Sequence, residues 1–156
     1  MSKSLKRVVA DAEARGLSLE ITHHSESTLT AQDAANAAGV LVDQIVKSII
    51  FRDANTGEHV LFLTSGANRV DMRKAAEVSG CQLEKADAAS IREHTGFAIG
   101  GVSPLGHKNP IRTFFDPHLL TFNVIWAAAG TPNHNFDCDP NSLLSVLDAQ
   151  VADFTG

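Results

Sequence analysis

Residues 44–52 read QIVKSIIFR and form the clearest strand pattern in the chain. β-Branched and aromatic side chains dominate this run, as is typical of strands. The triplet Asn55-Thr56-Gly57 follows as a turn, and residues 59–64 form a second apolar run. The two runs predict a β-hairpin, and the other elements are placed around it.

Helical patterns lie on both sides of this hairpin. Apolar residues recur at helical spacing within residues 4–15, and capping residues precede helical runs that begin near residues 30, 71 and 87. A last helix is predicted to start at Asp139 with Pro140 in its first turn. Its apolar stripe would comprise Leu143, Leu144, Leu147, Val151 and Phe154.

Further strands are predicted at residues 17–21, 111–115 and 121–128. Helices and strands alternate, but only the hairpin gives a clear strand connection. The pattern therefore predicts a mixed α/β fold with a largely antiparallel sheet surrounded by helices.

Composition predicts a single domain over residues 1–156, since 44% of the residues are hydrophobic and 20% are charged. The formal net charge of −5 argues against a protein that coats nucleic acid through basic charge, and no DNA partner is expected. With eight Phe, one Trp and no Tyr, a base-stacking platform is also a poor hypothesis.

Targeting and metal-binding patterns are not found in the sequence. The N-terminal residues have no apolar h-region, and the longest apolar stretch, residues 119–130, is shorter than the roughly 20 residues that span a bilayer. We therefore expect a soluble, cytoplasmic protein with no membrane contact. Cys81 and Cys138 lie far apart and are interpreted as reduced thiols, and no histidine spacing predicts a metal site.

Lys47 is the first candidate functional residue. Alternation along a strand places it on one face with Ile45, Ile49 and Phe51, so it has apolar neighbours at i±2. It either extends to the rim and protects a sheet edge, or lies in a pocket wall where its ammonium meets an anion or a polarised carbonyl.

The second candidate is the segment from Thr95 to Gly106, TGFAIGGVSPLG, in which four of the twelve residues are Gly. It is either an ordinary long loop or one in which the Gly100 and Gly101 amides point at an oxygen atom as an oxyanion hole. The spacing fits neither a dinucleotide fingerprint nor a P-loop. Ser103 lacks the setting of a nucleophile elbow, so it is structural or substrate-binding.

These two segments, in this order, resemble the YbaK/EbsC family of aminoacyl-tRNA editing domains. The shared pattern covers roughly residues 20–150 and includes the strand with Lys47, the loop from Gly100 to Gly106, and Asp116. The resemblance implies a curved mixed sheet, no metal or organic cofactor, and hydrolysis of the ester that joins a wrong amino acid to tRNA. It places the family's essential lysine at Lys47 and its glycine-rich loop at 100–104.

The expected site follows from this resemblance and from the residue types. Lys47 would hold the terminal phosphate or the ester oxygen, while the amides of Gly100 and Gly101 would stabilise charge on that oxygen. The substrate-binding set is expected to be Phe51, Phe97, Ile99, Ser103, Pro104 and His134. His134 is alternatively an ordinary loop histidine.

The expected substrate is the 3′ end of an aminoacylated tRNA, with tRNA(Pro) carrying Cys, Ala, Ser or Thr as the leading hypothesis and prolyl-tRNA synthetase as a possible partner. The attacking group would be water or a hydroxyl or thiol of the substrate. Two alternatives stay open: a non-catalytic module that binds tRNA or a synthetase, and a hydrolase of another small acyl ester. The edited amino acid and the oligomeric state are left undecided.

Overall fold

The computed structural model describes residues 2–25 and 30–156. Its helices are α1 (Lys3–Ala14), α2 (Ala31–Ala38), α3 (Met72–Ser79), α4 (Ala88–Thr95) and α5 (Pro140–Val146). Its strands are β1 (Glu20–His23), β2 (Val46–Asp53), β3 (His59–Ser65), β4 (Leu83–Lys85), β5 (Arg112–Phe115), β6 (Ile125–Thr131), β7 (His134–Cys138) and β8 (Ala149–Val151). Short 3₁₀ turns occupy Val42–Gln44 and Pro117–Thr121.

The helix boundaries follow from capping chemistry. The side chain of Thr30 accepts a hydrogen bond from the Asp33 amide, and Gly39 ends α2 in the left-handed conformation at a φ of 71°. The side chains of Asp71, Asp87 and Asp139 likewise accept hydrogen bonds from backbone amides at the starts of α3, α4 and α5. The predicted helix starts are therefore confirmed.

The strands form two sheets. The larger sheet has the order β4-β2-β3-β5-β8, with β4, β2 and β3 antiparallel and β5 and β8 parallel to their neighbours. The smaller sheet, β1-β7-β6, is antiparallel. The mixed α/β, largely antiparallel class is confirmed, although two sheets take the place of the single sheet that the pattern predicted.

The two sheets meet where β2 and β6 begin. Ile45 and Trp126 form an isolated parallel bridge, and the Gln44 side-chain amide donates to the Val124 carbonyl at 3.1 Å. These contacts leave the edge of β2 beside β6, which positions the cavity described below.

The C-terminal region corrects the sequence prediction. The last helix ends at Val146, because Leu147 adopts an extended conformation with a ψ of 140°. Residues 149–151 then pair with β5, which satisfies backbone groups that a longer helix would have used internally. Val151 is exposed in β8, and Phe154 is buried against Phe62 instead of on a helix stripe.

Strand β3 is buried on both faces. Leu61 and Leu63 point into the main core, whereas Val60 and Phe62 pack into a second core with Phe114 and Phe154 under α3. Lys47 lies opposite Thr64 on β3 and, by strand alternation, on the same face as Phe62. The lysine therefore lies at the end of the second core.

Candidate functional site

A cavity of about 680 Å³ lies along the edge of β2. Strand β4 pairs with β2 only at residues 51–53, so residues 46–50 have no strand partner on that side within the described chain. The backbone groups of this edge therefore remain available to a ligand. The lining residues are Thr30, Ala31, Ala34, residues 45–51, Lys85, Ala86, Ile91, Ile99, Gly100, Val102, residues 126–128 and Asn135.

Lys47 lines this cavity, and its ammonium is held by the backbone. Its Nζ donates to the Asn68 carbonyl oxygen at 2.5 Å. Burial lowers the pKa of Lys47 below its usual value, and nearby Arg69 lowers it further, while Asp116 acts in the opposite direction. The result is a half-buried cationic donor beside apolar side chains.

Asp116 fixes the segment that holds Lys47. This buried carboxylate is 1% exposed, and its Oδ2 accepts from the Ser65 amide at 3.0 Å and from Asn68 Nδ2 at 2.9 Å. Its Oδ1 accepts from the His118 amide at 2.9 Å. Asp116 thus positions Asn68, which in turn positions Lys47.

The glycine-rich loop approaches the cavity at Gly100, which has a φ of +91°. Among the described residues the Gly100 amide donates no backbone hydrogen bond. Gly101 differs from the prediction, because its amide donates to the Ala98 carbonyl at 3.1 Å and it is not part of the lining. A Cβ at Gly101 would lie 3.0 Å from the Thr131 backbone, so this glycine allows the loop to pack on β6.

Both ends of this loop are fastened to α1. Arg7 donates to the Gly96 carbonyl at 2.6 Å and to the Gly106 carbonyl at 3.1 Å. The Asp11 carboxylate accepts from the Gly106 amide at 2.8 Å. These hydrogen bonds hold both ends of the loop against α1.

Phe51 and Ile99 line the cavity with Lys47, and Ile99 is 60% exposed at its mouth. Phe97 does not line it. Its side chain is completely buried, with the Arg7 guanidinium 5.1 Å above the ring and His107 in edge-to-face contact at 5.2 Å. Phe97 therefore anchors the loop in the core.

Ser103, Pro104 and His134 also lie outside the cavity. Ser103 is buried, and its hydroxyl accepts from the Leu105 amide at 3.2 Å, so it stabilises the loop. Pro104 lines a different, polar cavity of about 780 Å³ that does not contain Lys47. His134 bonds the Thr131 hydroxyl at 2.6 Å and contacts His23, at the turn between β6 and β7.

Strands β6 and β7 contribute lining residues that the sequence prediction omitted. Trp126 and Ala128 project from β6, and Asn135 projects from β7 beside Ala128. The alternation of polar and apolar residues in NFDC, residues 135–138, was the available strand signal. Asn68 and Asp116 carry no such pattern, and only Asp116 belonged to the family resemblance.

The charge of the lining is positive. Lys47 and Lys85 are its charged members, and none of the described lining residues is a carboxylate, imidazole or thiol. Cys138 packs against the main core instead, and burial raises its pKa to about 12. No cluster of three or more His, Cys, Asp or Glu side chains in the described chain is placed to hold a metal ion.

No helix among residues 2–25 and 30–156 is long and apolar enough to cross a membrane.

Known proteins resemble this chain in sequence and in fold. A crystal structure described as "a putative trans-editing enzyme for prolyl tRNA synthetase" superposes with a TM-score of 0.92 and 44% identity, covering 100% of this chain and 99% of the other. The "Putative Cys-tRNA(Pro)/Cys-tRNA(Cys) deacylase EbsC" of Enterococcus faecalis is 27% identical over 84% of this chain and 80% of that protein.

A proline–tRNA ligase of Limosilactobacillus fermentum is 31% identical over 58% of this chain, which corresponds to 16% of the ligase. The family sequence model described as "Aminoacyl-tRNA editing domain" matches residues 25–146, which is most of the sequence. The chain therefore belongs to the aminoacyl-tRNA editing domain family.

Proposed function

We propose that this protein is a free-standing trans-editing deacylase, which hydrolyses the ester between a small, wrong amino acid and tRNA(Pro). The observation that carries the proposal is the cavity along β2, whose largely apolar lining contains both Lys47 and Gly100. Family membership and the names of the relatives support the same activity.

The reaction requires a stabilised oxyanion more than a strong base. Water attacks the carbonyl carbon, the bond to the ribose oxygen breaks, and that oxygen receives a proton. An aminoacyl ester is already activated, so fixing the carbonyl and stabilising its developing charge supply the main acceleration. The described lining offers no carboxylate or imidazole as a general base, which fits this mode of catalysis.

Lys47 is the first catalytic residue of this proposal. Its ammonium, fixed by Asn68, holds the terminal phosphate or the ester oxygen of the bound substrate. Because the site is partly desolvated, a charge there acts more strongly on the reacting group than it would in water. The Gly100 amide is the second donor, and Gly101 retains a role in shaping the loop.

The dimensions suit a small aminoacyl group with part of the terminal nucleotide. A volume of about 680 Å³ falls in the range of ordinary ligand sites. Side chains from α2, β2 and β6 close the apolar part, and Phe51 and Ile99 contribute to its walls. Cys, Ala, Ser and Thr are the amino acids to be tested.

The partner we propose is the 3′ end of an aminoacylated tRNA, with prolyl-tRNA synthetase as the protein that supplies it, in the cytoplasm. Lys47 and Lys85 line the cavity, and Arg69 lies close to Lys47. These three cations can interact with the tRNA phosphates. With a net charge of −5, this local group and not the whole surface would bind tRNA.

A panel of tRNA(Pro) charged with Pro, Cys, Ala, Ser or Thr tests the proposal. We expect the protein to deacylate at least one non-cognate ester well above the spontaneous rate and to spare Pro-tRNA(Pro). Binding of all five without hydrolysis would indicate the non-catalytic module instead. Hydrolysis of small model esters without activity on any charged tRNA would indicate a different esterase.

A further inference from the structure

Helix α1 lies before the residues that match the family model, yet it contacts the glycine-rich loop of the candidate site. The match begins at residue 25, whereas α1 spans Lys3–Ala14. Arg7 of this helix is half-buried. The contacts between α1 and the loop therefore involve a part of the chain that the family model does not cover.

The side chain of Arg7 reaches both ends of the loop. Its Nη2 donates to the Gly96 carbonyl at 2.6 Å, and its Nε donates to the Gly106 carbonyl at 3.1 Å. Ser4 adds a longer hydrogen bond to the Gly96 carbonyl at 3.3 Å, and the guanidinium lies 5.1 Å from the centre of the Phe97 ring. A guanidinium holds its N–H donors in one plane, so a single side chain sets the separation of the two carbonyls.

The charge of Arg7 is used on the loop and not on a carboxylate. Among residues 2–25 and 30–156 it forms no ion pair, whereas Arg15 on the same helix pairs with Asp11 at 2.9 Å. Hydrogen bonds from a charged donor are stronger than those between neutral groups. The two ends of the loop are therefore the main polar contacts of the Arg7 cation.

Both ends of the loop are glycines that allow close contact with this helix. A Cβ at Gly96 would collide with the Arg7 guanidinium, and a Cβ at Gly106 would lie 2.7 Å from the backbone nitrogen of Val8. The two glycines also have positive φ angles of 83° and 78°. Side chains at these positions would strain the backbone and push the loop away from α1.

Gly100 lies between these two ends and lines the cavity together with Lys47. In the proposed reaction its amide must lie at about 2.7–3.1 Å from the developing oxyanion. A displacement of about 1 Å in such a group can lower the rate by about 100-fold. Arg7 does not line the cavity, so its effect on the reaction would pass through the position of the loop.

We propose that Arg7 is a positioning residue of the editing site, which holds both ends of the glycine-rich loop so that the Gly100 amide reaches the ester oxygen. The inference rests on the proposed deacylase function and gives α1 a part in it. Because Gly100 would act in the transition state, loss of Arg7 should lower kcat and change KM little.

The kinetic experiment compares Arg7→Met with Lys6→Met on the charged tRNA that the wild type hydrolyses best. Met fills similar space beside Phe97 but donates to neither carbonyl. Lys6 is exposed on the same helix, so Lys6→Met is a control for the loss of one positive charge. We expect Arg7→Met to lower kcat by about tenfold or more with KM within about twofold, and Lys6→Met to keep both constants. A wild-type kcat in Arg7→Met would overturn the inference.

A double-mutant cycle separates positioning from a general loss of stability. Gly100→Ala strains the backbone at a φ of 91° and displaces the amide on which Arg7 is proposed to act. In that background Arg7→Met should lower kcat by less than about threefold, because the two changes remove the same interaction. An equal loss in both backgrounds would show that Arg7 does not act through Gly100.

Hydrogen exchange tests the role of Arg7 without catalysis. The amides of Phe97, Gly101 and Leu105 are hydrogen-bonded within the loop segment. In Arg7→Met they should exchange about tenfold faster or more, whereas the amides of β3 should keep their wild-type rates. Unchanged loop exchange, or equal acceleration in β3, would refute the inference.

The two proposals can fail separately. Faster exchange confined to the loop of Arg7→Met, in a protein that hydrolyses none of the charged tRNAs, would refute the deacylase function and leave the hold of Arg7 on the loop standing. Deacylation by the wild type with unchanged kcat and unchanged loop exchange in Arg7→Met would refute only the role of Arg7.

Discussion

Lys47 lies between two charges with opposite effects on its protonation. Arg69 lowers the pKa of the ammonium, Asp116 raises it, and burial exceeds both. Strand alternation predicted the apolar neighbours of this lysine from sequence. Its partner Asn68 could not be predicted, because a backbone carbonyl 21 positions away is brought to Lys47 by the fold alone.

This arrangement predicts the alkaline limb of the pH profile. If protonated Lys47 is the active form, deacylation falls as pH rises through a pKa below 10.5. Asp116→Asn removes the charge that raises this pKa and should move the limb to lower pH. Arg69→Gln removes a charge that lowers it and should move the limb to higher pH.

The measurement is kcat/KM between pH 7 and 10.5, corrected for spontaneous ester hydrolysis at each pH. If the alkaline limb lies at the wild-type pH in both variants, protonation of Lys47 does not govern the reaction.

At the scale of elements, the glycine-rich loop contains some residues that line the cavity and others that are buried in the core. Residues 99, 100 and 102 line the cavity, whereas Phe97, Ser103 and Leu105 are completely or almost completely buried. Composition left open whether this segment is an ordinary loop or one that binds an oxyanion, and it did not assign a direction to each side chain. Irregular segments lack the periodicity that assigns faces in strands, so Phe97 and Ser103 were expected in the site.

His107 predicts how this loop responds to acid. Burial lowers its pKa from 6.5 to about 4, while its Nε2 bonds the Ser103 carbonyl at 2.6 Å. Because the unfolded chain binds this proton more readily, folding stability is lost as pH falls from about 6.5 towards 4. We expect a loss of about 2–3 kcal/mol from this group between pH 7 and 4.5.

Urea unfolding of the wild type and His107→Gln at pH 7 and 4.5 measures this effect. Gln can still donate to Ser103 but does not titrate, so its free energy of unfolding should fall less on acidification. The same decrease in both proteins would exclude His107 as the source.

At the scale of the whole molecule, the site depends on the contact between two sheets. The sequence predicted the hairpin, the helix caps and the α/β class, because these depend on local patterns. It did not predict β4 and β8, short strands that pair with β2 and β5 far along the chain, or β7, which pairs with the adjacent β6 and with the distant β1. Asn135 and Trp126 reach the cavity only through the smaller sheet, which explains their omission.

The distribution of charge predicts weak, moderately salt-dependent tRNA binding. The net charge is −5, and the cations near the site are Lys47, Arg69 and Lys85. About three phosphate contacts give a slope of about −2 to −3 in a plot of log binding constant against log salt. Filter binding of tRNA at 50–300 mM salt measures it, and a slope steeper than −5 would contradict a local site.

The most direct test of the central claim is the single-turnover deacylation rate of Lys47→Ala on the charged tRNA that the wild type hydrolyses best. Lys6→Ala, an exposed lysine on α1, is the matched control, and circular dichroism verifies folding of both. We predict that Lys47→Ala loses at least 100-fold, about 2.7 kcal/mol of transition-state stabilisation, while Lys6→Ala keeps wild-type activity. A folded Lys47→Ala protein that deacylates at the wild-type rate would contradict the account.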